Sequence, residues 1–269
     1  MTAHGYALPL SPSGEASLVP TPPWHYAGTM LSVDFWAAPD AVEATLPPGL
    51  APSVEEPGRC TAFFADWQFC SDGGRELEHP IRSQYREFFV VMRASRDGHE
   101  VSTCPYIWVD QDVSMLRGWI QGFPKKMGSI HLTRAFELPG AASTPTRAGT
   151  TFAATCSAAG ERVAAATLLL ERREREARAA DRPHPRLVNV RKLPRLEAGH
   201  HHDPAVFELV SPVQRDTVVS DVWEGPATLR IENVTGEAVG LLRPTRVGRG
   251  RRYATTFTVD DLELVADLR

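Results

Sequence analysis

The sequence predicts an α+β fold that is mainly β: a single, mostly antiparallel domain over 1–269 with a few helices. Three observations carry this. Short segments rich in β-branched and aromatic residues recur between turn formers. Two of them flank Ala159-Gly160-Glu161, a hairpin signal. No regular alternation of strands with long helices runs along the chain, which argues against a dinucleotide-binding or βα-barrel fold.

Taken in order, residues 1–22 are proline-rich and lack periodicity, so they predict an irregular N-terminal arm. Asp40 to Leu46 predicts a short helix, opened by Pro39 and stopped by Pro47-Pro48-Gly49. Phe88 to Arg93 and Tyr106 to Val109 are strand segments. Ser114 to Ile120 predicts another short helix, which Gly122 and Pro124 break abruptly. Thr151 to Cys156 and Val163 to Leu170 form the hairpin arms. The charged run Glu171 to Glu176 either extends the hairpin or opens a helix, with its mixed signs facing water. Thr228 to Glu232 and Ala254 to Val259 alternate apolar and polar side chains, as half-buried strands do.

Composition narrows the function. At 269 residues, with 42% hydrophobic and 23% charged residues, the chain can bury a substantial core. A formal net charge of -4 offers nucleic acid no global attraction, and no apolar run approaches the roughly 20 residues that span a bilayer. Neither nucleic acid nor membrane is therefore expected as a partner. No basic flank precedes an apolar stretch near the N-terminus, and Cys60, Cys70, Cys104 and Cys156 form no Cys-x-x-Cys pair. Free thiols in a cytoplasmic protein are expected. His200-His201-His202 with Asp203 reads as a solvated loop, since neighbours in a loop converge poorly on one ion. The basic stretch Arg246 to Arg252 lacks interleaved aromatics and gives little support for nucleic-acid binding.

The segment with chemical promise is Gly122-Phe123-Pro124-Lys125-Lys126-Met127-Gly128. An ordinary lysine is ammonium at neutral pH and has no lone pair to offer a carbonyl. Desolvation or a neighbouring cation makes it nucleophilic, each unit of lowered pKa corresponding to about 1.4 kcal/mol. Lys125 has apolar neighbours in Phe123, Pro124 and Met127, and an adjacent cation in Lys126.

This segment resembles the Schiff-base lysine motif of the acetoacetate decarboxylase superfamily, in which the first lysine of the pair forms the imine. Pro22-Pro-Trp-His-Tyr26, Ala38-Pro-Asp-Ala-Val42 and Leu46-Pro-Pro-Gly-Leu50 resemble the family's N-terminal region. Asp181-Arg-Pro183, Lys192-Leu-Pro194 and Val222 to Leu229 are similar to its C-terminal half, so the likeness runs from about Pro22 to the end. It implies a cone-like antiparallel β-barrel with flanking helices and assembly as a homo-oligomer. Activation of the lysine by a neighbouring cation is long associated with acetoacetate decarboxylase itself. For Lys126 a pKa-modulating role is thus what the resemblance implies.

A Schiff-base enzyme also needs a proton carrier and groups that orient the substrate. Tyr85 and Glu87, two apart at the head of a strand, project to one face. The family's functional Glu falls at this place, which makes Glu87 the proton-transfer candidate and Tyr85 its helper. Gln121, four residues before Lys125, is a neutral candidate for binding a substrate carboxylate or hydroxyl. Tyr253 is a further, late-sequence substrate-binding candidate. The resemblance also implies an Arg in the N-terminal strand and a second Glu on the next. The matching stretches, Ala27 to Met30 and Ala62 to Ala65, contain neither.

The expected function is therefore a Schiff-base lyase acting on a 2-keto acid such as pyruvate, by aldol condensation and dehydration with an aldehyde or by the reverse cleavage. The iminium is its own electron sink, so no cofactor or metal is expected. Decarboxylation of a 3-keto acid and non-catalytic small-molecule binding on the same fold stay open as alternatives.

Overall fold

The structure, a computed structural model, describes residues 2–174 and 185–269. The end of the charged run, Arg175-Glu176, and Asp181-Arg-Pro183 lie outside the described residues. The arm through Pro23 contains an isolated bridge, His4 to Ser11, but no regular strand or helix. It is nevertheless docked, with Val19 fully buried and Tyr6 edge-on to Trp24.

The first half of the chain runs β1 (Trp24–Trp36), α1 (Pro39–Thr45), β2 (Ala51–Pro52), β3 (Arg59–Ser71), α2 (Pro80–Ser83), β4 (Gln84–Arg96) and β5 (His99–Val109). Of these, β1, β3, β4 and β5 pair side by side, and they form the scaffold of the site. Then come α3 (Asp112–Ile120), β6 (Lys125–Met127) and β7 (Ser129–Leu132). The hairpin is β8 (Thr151–Ala158) and β9 (Glu161–Leu169), with Ala159 and Gly160 at positive φ in its turn. The charged run supplies β10 (Arg172–Glu174), which pairs with a later strand. The chain ends with β11 (Asn189–Leu193), β12 (Val206–Val219), β13 (Val222–Ile231) and β14 (Arg246–Asp267).

Among the described residues these strands make one sheet, in the order β6-β5-β4-β3-β1-β14-β13-β9-β8-β7 along its main path. The mainly β, largely antiparallel architecture is as expected, with two differences in detail from a closed antiparallel barrel. The hydrogen-bonded ladder is open, and β6 runs parallel to β5. The two ends of the path are nonetheless consecutive in the chain: β6 pairs with β5, β7 pairs with β8, and Gly128 alone separates them. Covalent chain thus joins the ends of the ladder. A side chain at Gly128 would begin 2.9 Å from Cβ of Trp108, so glycine suits this junction.

The strands sort their side chains by alternation. On β4, Phe88, Val90 and Met92 enter one apolar core with Phe64, Trp108 and Phe152. Tyr85 and Val91 enter a second core with Tyr26, Met30, Trp67 and Phe69, against which α3 packs through Met115, Leu116 and Ile120. Glu87 alternates into this second face. The basic stretch opens β14, and two of its arginines are paired: Arg251 Nη1 lies 2.8 Å from Asp34 Oδ2, and Arg249 Nη2 lies 3.0 Å from Glu171 Oε2. His200, His201 and His202 are exposed in a turn. Among the described residues no helix is long and apolar enough to cross a membrane.

Phe88 is fully buried between the Phe64 and Trp108 rings, at centroid separations of 4.6 and 5.8 Å. Phe88→Ala leaves a cavity there and is expected to destabilise the protein by about 3–5 kcal/mol, read from denaturant midpoints.

Candidate active site

Local sequence explains how Lys125 is presented. Gln111 caps α3, its Oε1 accepting from Ser114 N at 3.0 Å. At the other end Gly122 adopts φ +80, the Phe123 N–H donates to Gly118 O at 2.8 Å, and the Gly122 N–H donates to Trp119 O at 3.3 Å. This is the Schellman ending that a glycine one residue past the cap favours. Pro124 then forbids further helix, and the chain leaves as β6 beside β5, with Lys125 opposite Ile107. The Trp119 indole fixes this turn by donating to Lys125 O at 2.8 Å.

The side chain of Lys125 passes under α3, and the residue is 6% exposed. A Cβ on Gly118 would sit 2.4 Å from its Cδ, so the helix leaves a slot for the lysine. At the end of the slot Nζ donates to Glu87 Oε1 in a short contact and to Ser114 Oγ at 2.9 Å. Ser114 in turn donates to the same carboxylate oxygen at 3.3 Å, and the Trp67 indole donates to Glu87 Oε2 at 3.1 Å. Both carboxylate oxygens are thereby held in place.

Trp67 depends on a glycine across the sheet. Gly28 lies opposite Trp67 on β1, and a Cβ there would come within 2.3 Å of the indole ring. The absence of an arginine from Ala27 to Met30 thus has a physical counterpart: this strand makes room for an aromatic ring. One register row along, Met30, Ala65 and Glu87 lie opposite one another on β1, β3 and β4. Apolar side chains flank the carboxylate where the resemblance implies charged ones.

Burial is the largest influence on Lys125 and pushes its pKa below 10.5; Glu87 opposes this, and the positive charge of Arg117 adds to it. The expected contribution of Lys126 is not what the geometry favours. Adjacent residues on a strand point to opposite faces, and Lys126 is exposed and paired with Glu237 Oε2 at 2.7 Å. Arg117 takes its place beside the amine.

Tyr85 is buried, with Lys125 Nζ 5.5 Å from its ring centroid. Burial and the nearby Glu87 charge hold its hydroxyl well above the ordinary phenol range, so it is a neutral donor. Gln121 is buried at the end of α3, with Nε2 3.5 Å from the Tyr26 hydroxyl and 3.3 Å from Arg117 O. Tyr253 lies in register with Met30, three strands from Glu87. That is about 14 Å along the sheet, and no hydrogen bond joins it to Lys125, Glu87 or Gln121 among the described residues.

Sequence reasoning missed Ser114, Trp67 and Arg117. Arg117 is 1% exposed, and its three guanidinium nitrogens are buried without a hydrogen bond. Its carbon centre lies 3.6 Å from the Phe69 ring centroid, 5.3 Å from that of Tyr26 and 5.4 Å from that of Tyr85. Burial works against its charge, but Tyr26, Tyr85 and Glu87 outweigh that, so it stays a guanidinium. The aromatic faces attract the cation, yet each unmade donor costs about 1–3 kcal/mol. A signal was present: Ser114, Arg117 and Gln121 recur at i, i+3 and i+7, a polar stripe on one face of α3.

A buried amine of lowered pKa, locked to a carboxylate and roofed by aromatic rings on one face of a mainly antiparallel sheet, defines a Schiff-base type of site. The chain belongs to the acetoacetate decarboxylase family, whose model matches residues 6–268. Solved structures agree. The enduracididine biosynthesis enzyme MppR complexed with pyruvate is 34% identical, with a TM-score of 0.90, and the match covers 100% of both chains. MppR complexed with the condensation product of pyruvate and imidazole 4-carboxaldehyde is 35% identical, at TM-score 0.90, covering 100% of this chain and 99% of that one. An acetoacetate decarboxylase-like enzyme from Sphingomonas wittichii RW1 is 25% identical, at TM-score 0.87, covering 99% and 100%. Among curated proteins none matches in sequence.

Gly118→Ala separates the slot from the helix. Alanine favours helix by about 1 kcal/mol over glycine, yet here it intrudes on Lys125. Thermal stability is expected to change little while adduct formation at Lys125 falls at least about tenfold, since 1.4 kcal/mol of misplacement suffices. The lowered pKa of Lys125 gives a second test. The pH dependence of its reaction with a carbonyl is expected to have its midpoint below 10.5. The stability penalty of burying the ammonium, present below the folded pKa, is expected to fade as pH rises from there toward 10.5. Lys125→Met therefore gains less over the native protein at alkaline pH, as denaturant midpoints would show.

Proposed function

We propose that this chain is a Schiff-base lyase that joins a 2-keto acid such as pyruvate to an aldehyde, with loss of water, or runs the reverse cleavage. The observation that carries it is the buried Lys125 amine held by Glu87 and Ser114, in a chain about a third identical to an enzyme seen with pyruvate and with its condensation product.

Neutral Nζ of Lys125 attacks the keto carbon, and the carbinolamine loses water to give the iminium. Glu87 is the proton carrier: it assists the departure of that water, then takes a proton from the methyl carbon as the C–H electrons move into the iminium. The enamine carbon forms a bond to the aldehyde carbon, whose oxygen is protonated. Loss of a second proton and this hydroxyl yields the unsaturated iminium, and water releases the product and the free amine. Tyr85 and Gln121 are neutral donors to the substrate carboxylate or the departing hydroxyl, and they add no further charge to a buried site. Tyr253, farther along the sheet, is assigned to the aldehyde end. Small-molecule keto acids and aldehydes are thus the partners; a single domain, a homo-oligomer and a cytoplasmic location belong to the same proposal.

Borohydride reduction with pyruvate tests the imine. A mass increase on the peptide containing Lys125, absent in Lys125→Ala, is expected; no adduct with any keto acid would leave a binding protein on this fold. Pyruvate with an aromatic aldehyde is expected to give an unsaturated keto acid. Rapid CO2 release from acetoacetate would instead assign decarboxylation.

A further inference from the structure

We propose that Arg117 is the carboxylate-binding residue of this site, pairing with the carboxylate of the 2-keto acid whose carbonyl carbon is bonded to Lys125. This rests on the imine chemistry above and names the group that selects for the acid.

A buried arginine that serves only the fold is ordinarily paired, because an unmade guanidinium donor has no water to turn to. Here the Glu87 carboxylate serves other donors: Oε1 accepts from Lys125 and Ser114, and Oε2 accepts from Trp67. Nε, Nη1 and Nη2 of Arg117 are left without hydrogen bonds. The guanidinium and the Lys125 amine approach the same Tyr85 ring, at 5.4 and 5.5 Å from its centroid. A 2-keto acid bound through its keto carbon carries its carboxylate on the next atom, beside the amine. The planar fork of Arg is suited to a carboxylate in two parallel hydrogen bonds.

Charge balance points the same way. With the iminium formed, Lys125 and Arg117 carry two positive charges and Glu87 one negative charge. A substrate carboxylate brings this buried group to neutrality, whereas a neutral ketone leaves one uncompensated cation in a medium that penalises it. Arg117 approaches β1 from α3, over Tyr26. It thus brings a positive charge to the strand in which the family resemblance implies an arginine of its own.

The test pairs pyruvate with methyl pyruvate, which has the same ketone but no charge, in borohydride trapping on the full chain. The unsubstituted protein is expected to half-saturate with pyruvate at a concentration at least about 30-fold lower than with the ester, and Arg117→Gln to reduce that ratio to within about threefold, by loss of charged hydrogen bonds. Arg117→Lys, which keeps the charge without the fork, is expected to retain an intermediate ratio. A ratio unchanged in either folded variant, or an equal weakening of both ligands, would overturn the proposal; if Arg117→Gln does not fold, Arg117→Lys decides. Calorimetry of pyruvate with Lys125→Ala, alone and combined with Arg117→Lys, separates the two claims. Binding that requires Arg117 where no imine can form supports the carboxylate site even if the imine reading fails. An imine that forms without any preference for the acid sinks this proposal and leaves the reading of Lys125 standing.

Discussion

An ammonium group taken out of water loses hydration worth several kcal/mol, and the fold places such a group, Lys125, under a helix and against a sheet. Much of the surrounding sequence can be understood as the means of tolerating that burial. Glu87 supplies the opposite charge and Ser114 a hydrogen bond, while Trp67 occupies the second carboxylate oxygen. Arg117 acts in the opposite sense. Its charge disfavours the ammonium and so favours the amine, which is the form that attacks a carbonyl.

The scaffold keeps this balance by steric means. Two glycines, Gly118 in α3 and Gly28 in β1, leave room for Lys125 and for the Trp67 ring. A third, Gly122, ends the helix in a left-handed turn, so that Pro124 and Lys125 leave along β5. None of these glycines touches a reacting atom in the proposed mechanism. Each instead sets where a side chain with chemical function is permitted to lie, which is why small changes there bear on the site more than on the core.

The same geometry distinguishes this chain from the decarboxylase pattern of its own family. The register row beside Glu87 is apolar, with Ala65 and Met30. Positive charge enters from the helix, through Arg117. A carboxylate that remains on the substrate and one that departs as CO2 need different surroundings, because the second must give up its charge. The aldol reading and the placement of charge are therefore mutually consistent.

Segments around Phe88, Tyr106, Thr151 and Val163 show their strand character by composition and turn residues, and α1 and α3 show theirs by proline and glycine stops. Those signals are local, and so survive without knowledge of the partners. Long strands such as β1 and β12 were not apparent, because their side chains meet different surroundings along their length. By itself, then, the sequence determined the mainly β class, the helix that stops at Gly122, the shared face of Tyr85 and Glu87, and the candidate lysine. Each of these is written in neighbouring residues. Tertiary structure decided the rest: that Lys125 is buried while Lys126 pairs with Glu237 in solvent, and that Trp67 and Arg117 converge on Glu87 and Tyr85 from separate elements. Burial and electrostatic environment are properties of what packs around a group, and those neighbours come from distant parts of the chain.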